Sequence, residues 1–372
     1  RDSSTSRGLG DVYKRQVQHD RMLPVGTLRD LPEELHRAHY FVVTKCPERM
    51  APIDRRILRK VLIQVAYQRV YFTRFESFMP QPLYAEEASG EPLAQGRPVI
   101  ALSGIGNPKP FVQTLRERYE VVAEMTLDEK IGQLTSPYGW EMYERHGDSV
   151  RLTDAFREAV QNGHIGMLWG TFRADPWTQK DLRTGLTPQL AARLANRMQR
   201  YAVQHSRLGI PLFLAEEAPH GHMAIGATTF PTAPGQASTW NPELIERMGK
   251  VIAAEIRLQG GHICYGPVLD IVRDPRWSRT EESYGEDCYL TARIGEAYVR
   301  GTGSGDLSQS RHALSTLKHF IAYGASEGGQ NGGSNLLGER ELRETYLPPF
   351  EAAVKAGARS VMTAYNSVDG IP

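Results

Sequence analysis

From Met125 onward the sequence repeats one pattern, a short apolar run followed by an amphipathic stretch, at roughly 45- to 50-residue intervals. A chain written this way builds a parallel sheet under helices. The apolar runs are His164 to Trp169, Pro211 to Leu214, His262 to Val268, Ser315 to Tyr323 and Ser360 to Tyr365. Between them lie three helical stripes: Leu190, Leu194, Met198 and Tyr201; then Leu244, Met248, Val251 and Ile252; then Leu342, Tyr346, Phe350 and Ala353. No GxGxxG fingerprint follows any strand, which favours a (β/α)8 barrel over a doubly wound sheet. About five strands are legible where a closed barrel has eight, so the fold class expected is α/β, an incomplete (β/α)8 TIM-type barrel. The segment TLDEKIGQL opens this region as a helix, with Thr126 as N-cap and Glu129 completing a capping box.

Polar residues gather where such a barrel carries chemistry, at the C-terminal ends of its strands. Glu216 and Glu217 follow PLFLA, and Asp270, Arg273 and Asp274 follow CYGPVL. Lys318 and His319 fall in or just after STL, and Tyr365 and Asn366 follow SVMTA. One such cluster is ordinarily a surface ion pair or a helix cap. Four at the same relative position argue for a site. Carboxylate, Arg, Lys and His, with Trp277 near Arg279 in DPRWSR, suit a polyhydroxylated ligand: the cations donate to hydroxyls, a carboxylate accepts from them, and an aromatic face covers C–H groups. Phosphate fits less well beside Glu217. His220 and His222 flank Gly221, a poor ligand spacing, and no metal site is expected.

The chain changes character near Val122. Residues 1–122 hold 19 basic and 14 acidic residues and the remainder 25 and 29, so the overall charge of +1 is a cancellation. All five tryptophans, Trp140, Trp169, Trp177, Trp240 and Trp277, follow the break. Two unlike domains are therefore expected. The near-neutral balance disfavours a nucleic-acid partner, no run reaches the roughly 18 to 20 apolar residues of a membrane span, and no secretory h-region opens the chain. Cys46, Cys264 and Cys288 have neither disulfide nor zinc spacing and read as free thiols.

Residues 1–16 lack apolar periodicity, resemble a translated sequencing-adapter peptide and are expected to be a disordered, artefactual tail; a basic arm is the alternative. Residues 17–122 read as a small α/β piece. Strands are expected at Tyr40 to Thr44 and Pro98 to Ser103, both buried and parallel. A helix from Pro52 to Ala66 places Ile53, Ile57, Val61 and Val65 on one stripe, and a second helix spans Phe111 to Arg118. The turn Gly104-Ile105-Gly106-Asn107 is a weak anion-site signal at a strand-to-helix junction.

MLPVGTLRDLPEELHRAHYFVVTKCP, RVYFT and ALSGIGNPKPFVQTLRERYEVV resemble the C-terminal half of tetraacyldisaccharide 4'-kinase, a P-loop kinase family acting on a lipid A precursor with ATP and Mg. No GxxxxGK[ST] motif is present to cradle the phosphates, so neither ATP nor Mg is expected to bind here.

MTLDEKIGQL, IPLFLAEEAPHGH, ATTFPTAPGQASTWNPEL, GPVLDIVRDPRWSRTEESYGED, LKHFIAYGASEGG and LPPFEAAVKAGARSVMTAYNSVDGIP resemble, in order, the N-terminal barrel of glycoside hydrolase family 3. The resemblance covers nearly all of residues 125–372, giving an expected domain at 123–372, and implies a retaining β-glucosidase or β-xylosidase parent acting on β-glucoside or β-xyloside oligosaccharides without a cofactor. It implies that Glu217, often Asp in the family, holds sugar hydroxyls, that Arg279, Lys318 and His319 grip the nonreducing-end sugar, and that Tyr365 neighbours the nucleophile. Retaining hydrolysis needs two carboxyls about 5 to 5.5 Å apart. The family's nucleophile Asp is expected beyond Pro372, its acid/base further still, and the chain is expected to be inactive. The leading expectation is a chimera of a kinase fragment and a truncated glycosidase joined within Tyr119 to Thr126; a genuine fusion and a non-catalytic sugar-binding module are the alternatives. The glycosidase parent implies a periplasmic or secreted location, the kinase parent the cytoplasmic face of the inner membrane.

Overall fold

The computed structural model describes residues 39–43, 46, 50–63, 65–73, 96, 98–101 and 109–371, and the chain divides into two compact units between Met125 and Thr126. The expected tail, Thr44, Ser103 and the turn Gly104 to Asn107 lie outside the described residues.

The first unit contains β1 (Tyr40–Val43), α1 (Pro52–Leu62), β2 (Arg69–Phe72), β3 (Pro98–Ala101), α2 (Lys109–Arg116) and β4 (Glu120–Glu124). β1 pairs with β2 and β3 with β4, both parallel, as expected for α/β architecture. The expected helix stripe is out of register. Leu58 and Leu62 are buried with Val43, Met50 and Val70, whereas Ile53 and Ile57 are exposed and Val65 lies beyond the end of α1. A helix of 11 residues over a two-stranded sheet buries only a narrow face, so a four-residue spacing alone does not select it. For the same reason β1 is not the buried strand expected: Tyr40 and Val42 face solvent.

The second unit begins with α3 (Leu127–Gln133), whose Thr126 side chain accepts from Glu129 N–H while the Glu129 carboxylate accepts from Thr126 N–H. This is the predicted capping box. A hairpin of β5 (Tyr143–His146) and β6 (Ser149–Leu152) and the helix α4 (Asp154–Gln161) follow. Then come β7 (Met167–Trp169), α5 (Pro188–His205), β8 (Phe213–Glu217), α6 (Ala233–Ala237), α7 (Pro242–Gln259), β9 (Ile263–Val268), α8 (Cys288–Thr302) and β10 (Leu314–Phe320). A π turn (Leu342–Tyr346) leads into α9 (Leu347–Lys355) and β11 (Ser360–Thr363). Strands β7 to β11 form one parallel sheet in chain order, curled as a half-barrel. Each crossover therefore steps to the adjacent strand, the connectivity of a (β/α) barrel.

The strand edges shift from those expected, for local reasons. His164 has φ +51°, so the chain is still turning there and β7 starts at Met167. β8 starts at Phe213 and includes both glutamates, and β10 contains both Lys318 and His319. Leu190, Leu194 and Met198 are buried on α5 as expected. On α7 the expected stripe holds at Met248 and Ile252 but not at Leu244 and Val251, which are exposed; Ile245 and Ile256 complete the buried face. Gly249 fixes that face. A Cβ there would lie 2.9 Å from the Tyr298 carbonyl and 3.1 Å from Gly301 Cα, so the two helix backbones touch at this point and the residues sharing its side are buried. The two largest core groups hold Leu168, Phe172, Leu194, Met198 and Leu214 in one and Ile252, Ile256, Ile294, Tyr298 and Leu317 in the other.

Candidate active site

The C-terminal ends of β7 to β11 surround a cavity of about 480 Å³. Glu217, Arg279, Lys318, His319 and Tyr365, the five residues named from sequence, all line it. Lys318 Nζ lies 2.7 Å from Glu217 Oε2, with only 2% of the lysine side chain and 11% of the glutamate exposed. The second oxygen, Oε1, accepts from Trp169 Nε1 at 3.2 Å. Strands β8 and β10, on either side of β9, thus deliver a carboxylate and an ammonium to one point, each fixed before any ligand arrives.

Arg279 grips Glu282 with both ends of its fork, Nε to Oε1 at 2.6 Å and Nη2 to Oε2 at 2.7 Å. Burial works against the Glu282 anion, yet the Arg279 guanidinium and nearby Lys318 hold its carboxyl below the usual range. Lys318 Nζ is 4.0 Å from Glu282 Oε2, which links the two pairs into one network. His319 rests on Asp270 through Nδ1 to Oδ2 at 2.7 Å, both side chains buried. Tyr365 stands exposed at the rim.

Not every residue of the four strand-end clusters joins the site. Glu216, next to Glu217, points the other way because consecutive strand residues face opposite sides; its carboxyl group accepts from Phe172 N–H. Asp274 is forked to Arg276, and Asn366 donates to the Ile321 carbonyl. The aromatic face expected from Trp277 is corrected. That ring is buried against Tyr323 at 5.0 Å, inside the structure rather than over the cavity. Trp169 and Trp177 line the cavity instead, with the Arg173 guanidinium 4.6 Å from the Trp177 ring centroid. Trp169 closes an apolar strand at its C-terminal end, and Glu282 sits three residues past Arg279; both signals were present in the sequence. His220 lines the cavity while His222 packs against Phe172, so the two histidines diverge, and among the described residues no three His, Cys, Asp or Glu are grouped as for a metal.

Residues 126–372 match the family model for the glycosyl hydrolase family 3 N terminal domain. The chain belongs to glycosyl hydrolase family 3. Residues 10–130 of this family 3 chain match the model for Tetraacyldisaccharide-1-P 4'-kinase. A periplasmic beta-glucosidase of Salmonella typhimurium is 33% identical over 278 residues, covering 74% of this chain and 32% of that protein. A beta-xylosidase of Formosa agariphila is 44% identical over 185 residues, covering 47% and 25%. Among solved structures, the b-glucosidase EmGH1 from Erythrobacter marinus superposes with a TM-score of 0.57 at 31% identity, covering 67% of this chain and 31% of its own. A mutant beta-glucosidase from Listeria innocua in complex with laminaribiose gives 0.55 at 30% identity, covering 72% and 34%. The family 3 chain thus spans about a third or less of the length of these relatives.

Proposed function

We propose that the 126–372 unit holds the terminal β-D-glucosyl or β-xylosyl residue of a β-glycoside for retaining hydrolysis. The observation that carries this reading is the buried Lys318 to Glu217 pair in the cavity wall, backed by His319 and by the Arg279 to Glu282 fork. An ammonium donates to one sugar hydroxyl and the carboxylate beside it accepts from a neighbour, while Trp169 supplies an apolar wall. Laminaribiose, named with the Listeria innocua structure, is a ligand of this class.

The cavity grips more than it reacts. Of its lining carboxylates among the described residues, Glu217 and Glu282 are held by Lys318 and Arg279, which leaves Glu281, and retaining hydrolysis needs two carboxyls. Turnover in this reading takes a carboxylate from outside the described set, and the 372-residue chain alone binds sugar without hydrolysing it. Titration with glucose or xylose, followed by Trp169 and Trp177 fluorescence, tests the binding, with Lys318→Ala and His319→Ala as controls. No fluorescence change at millimolar sugar sinks it. Aryl β-glucoside hydrolysis above those controls overturns the claim of inactivity.

For the first unit the reading is a piece of a lipid A precursor kinase without nucleotide chemistry, joined near Thr126. The overlap of the two family matches at residues 126–130 supports a junction there. Amplification across that junction from source DNA tests whether the two pieces belong to one gene.

A further inference from the structure

Glu216 has no role in the sugar grip, yet it is a fully buried carboxyl one residue from Glu217. We propose that Glu216 is the positioning residue of the cavity's aromatic rim, tying the turn after β7 to β8 so that Trp169, Arg173 and Trp177 face the ligand; this rests on the sugar-pocket reading above. Phe172 N–H donates to both of its oxygens, at 3.2 and 3.3 Å, and Gly170 N–H donates to the preceding Ala215 carbonyl at 2.8 Å. Glu217 holds the same turn from the cavity side through the Trp169 indole. Two consecutive glutamates on opposite faces of one strand therefore clamp the two ends of a four-residue stretch, Trp169 to Phe172. The next residue, Arg173, is fixed by Asp175 at 2.5 Å and lies over Trp177.

A backbone N–H needs only an acceptor, and an amide would serve. A carboxyl adds a titration. Burial pushes Glu216 up to about 8, with the Phe172 and Thr171 N–H groups opposing and the neighbouring Glu217 charge assisting. Arg173 on the turn lowers it slightly; Tyr143 on β5 and Cys264 and Tyr265 on β9 are the other titratable groups that feel its charge. At neutral pH the group is an uncharged acid. Ionised, it places a second negative charge beside Glu217 in a buried site where the Phe172 and Thr171 N–H groups do not make up for lost hydration, so the charged form favours a turn lifted from β8. The rim then loosens on the alkaline side.

The test is near-ultraviolet circular dichroism of the coupled rings, Tyr138 on Trp140 at 4.5 Å and Trp169 beside Trp177 at 5.4 Å, from pH 6 to 9, alongside xylose and glucose titrations. The expected wild-type band weakens with a midpoint near 8, and Glu216→Gln keeps the band throughout, since its amide oxygen accepts from Phe172 without titrating. Glu216→Ala lacks the band at every pH; if it does not fold, Glu216→Gln still decides. A flat wild-type profile, or Glu216→Gln titrating like the wild type, overturns the proposal. A wild-type band that titrates as expected while no sugar binds refutes the sugar reading and leaves Glu216 as the anchor of the rim.

Discussion

Nδ1 of His319 lies 2.7 Å from Oδ2 of Asp270, beneath the cavity and out of solvent. The carboxylate accepts, which assigns a proton to Nδ1 and fixes the ring with Nε2 toward the cavity, in reach of a sugar hydroxyl. Asp270→Ala frees the tautomer and is expected to weaken sugar binding by about tenfold, the low end of the roughly 1.5 to 3 kcal/mol of a charged hydrogen bond. Asp270→Asn retains an acceptor oxygen and is expected to fall between. Imidazole ¹⁵N shifts read the tautomer directly, and an unchanged pattern in Asp270→Ala refutes the assignment.

The pair between Lys318 and Glu217 predicts an asymmetry in stability. Removing one partner leaves a buried charge unmatched, so Lys318→Ala is expected to cost about 3 to 5 kcal/mol of unfolding free energy. The double substitution Lys318→Ala with Glu217→Ala removes both charges and is expected to cost less than the single change. Denaturant titration of the three proteins checks this; a double substitution as damaging as the sum of both singles contradicts it.

Stability should fall on both sides of neutrality, for identifiable groups. Burial holds His222 and His262 at about 4 against an ordinary 6.5, so the unfolded chain takes up protons first and stability is lost as pH drops from 6.5 toward 4. The Arg207 fork on Glu129 holds that carboxyl at about 2, and its contribution, present above 4.5, is lost as pH falls toward 2. Glu216 works in the opposite direction. Its folded-state value of about 8 exceeds the unfolded 4.5, so the unfolded chain releases its proton first and stability declines as pH rises from 4.5 to 8. Glu216→Gln is therefore expected to melt at higher temperature than the wild type at pH 7.5, and Arg207→Ala to move the acid transition toward 4.5. Melting curves across pH 3 to 9 measure both.

The sequence was most informative where a strand end and a charge coincide. Glu217, Lys318, His319 and Arg279 are brought together because the (β/α) connectivity points every strand's C-terminus at the same face, a rule that needs no knowledge of side-chain packing. The capping box at Thr126 and Glu129 was legible for a similar reason, being a local contact over three residues. What distance along the chain does not encode was misread. Trp277 and Trp169 are equally plausible sugar platforms by residue type, and only the packing of Trp277 on Tyr323 removes it from the cavity. Glu216 and Glu217 are distinguished by strand alternation, but that alternation has meaning only once β8 is known to run through both.

Helix register gives the sharpest check on that distinction. The apolar spacing on α7 favours Leu244 and Val251 alongside Met248 and Ile252, whereas the backbone contact at Gly249 turns Ile245 and Ile256 inward with the latter pair. Ile245 is 2% exposed and Leu244 41%, though they are adjacent and nearly equal in volume. Ile245→Ala opens a cavity in the core beneath α7 and is expected to cost about 2 to 5 kcal/mol. Leu244→Ala, at the solvent side of the first turn, is expected to change stability by about 0.5 kcal/mol or less. Gly249→Ala forces the Cβ against the Tyr298 carbonyl and should destabilise despite the better helix propensity of alanine. Urea unfolding of the three variants settles the register: equal losses for Leu244→Ala and Ile245→Ala would restore the stripe read from spacing alone.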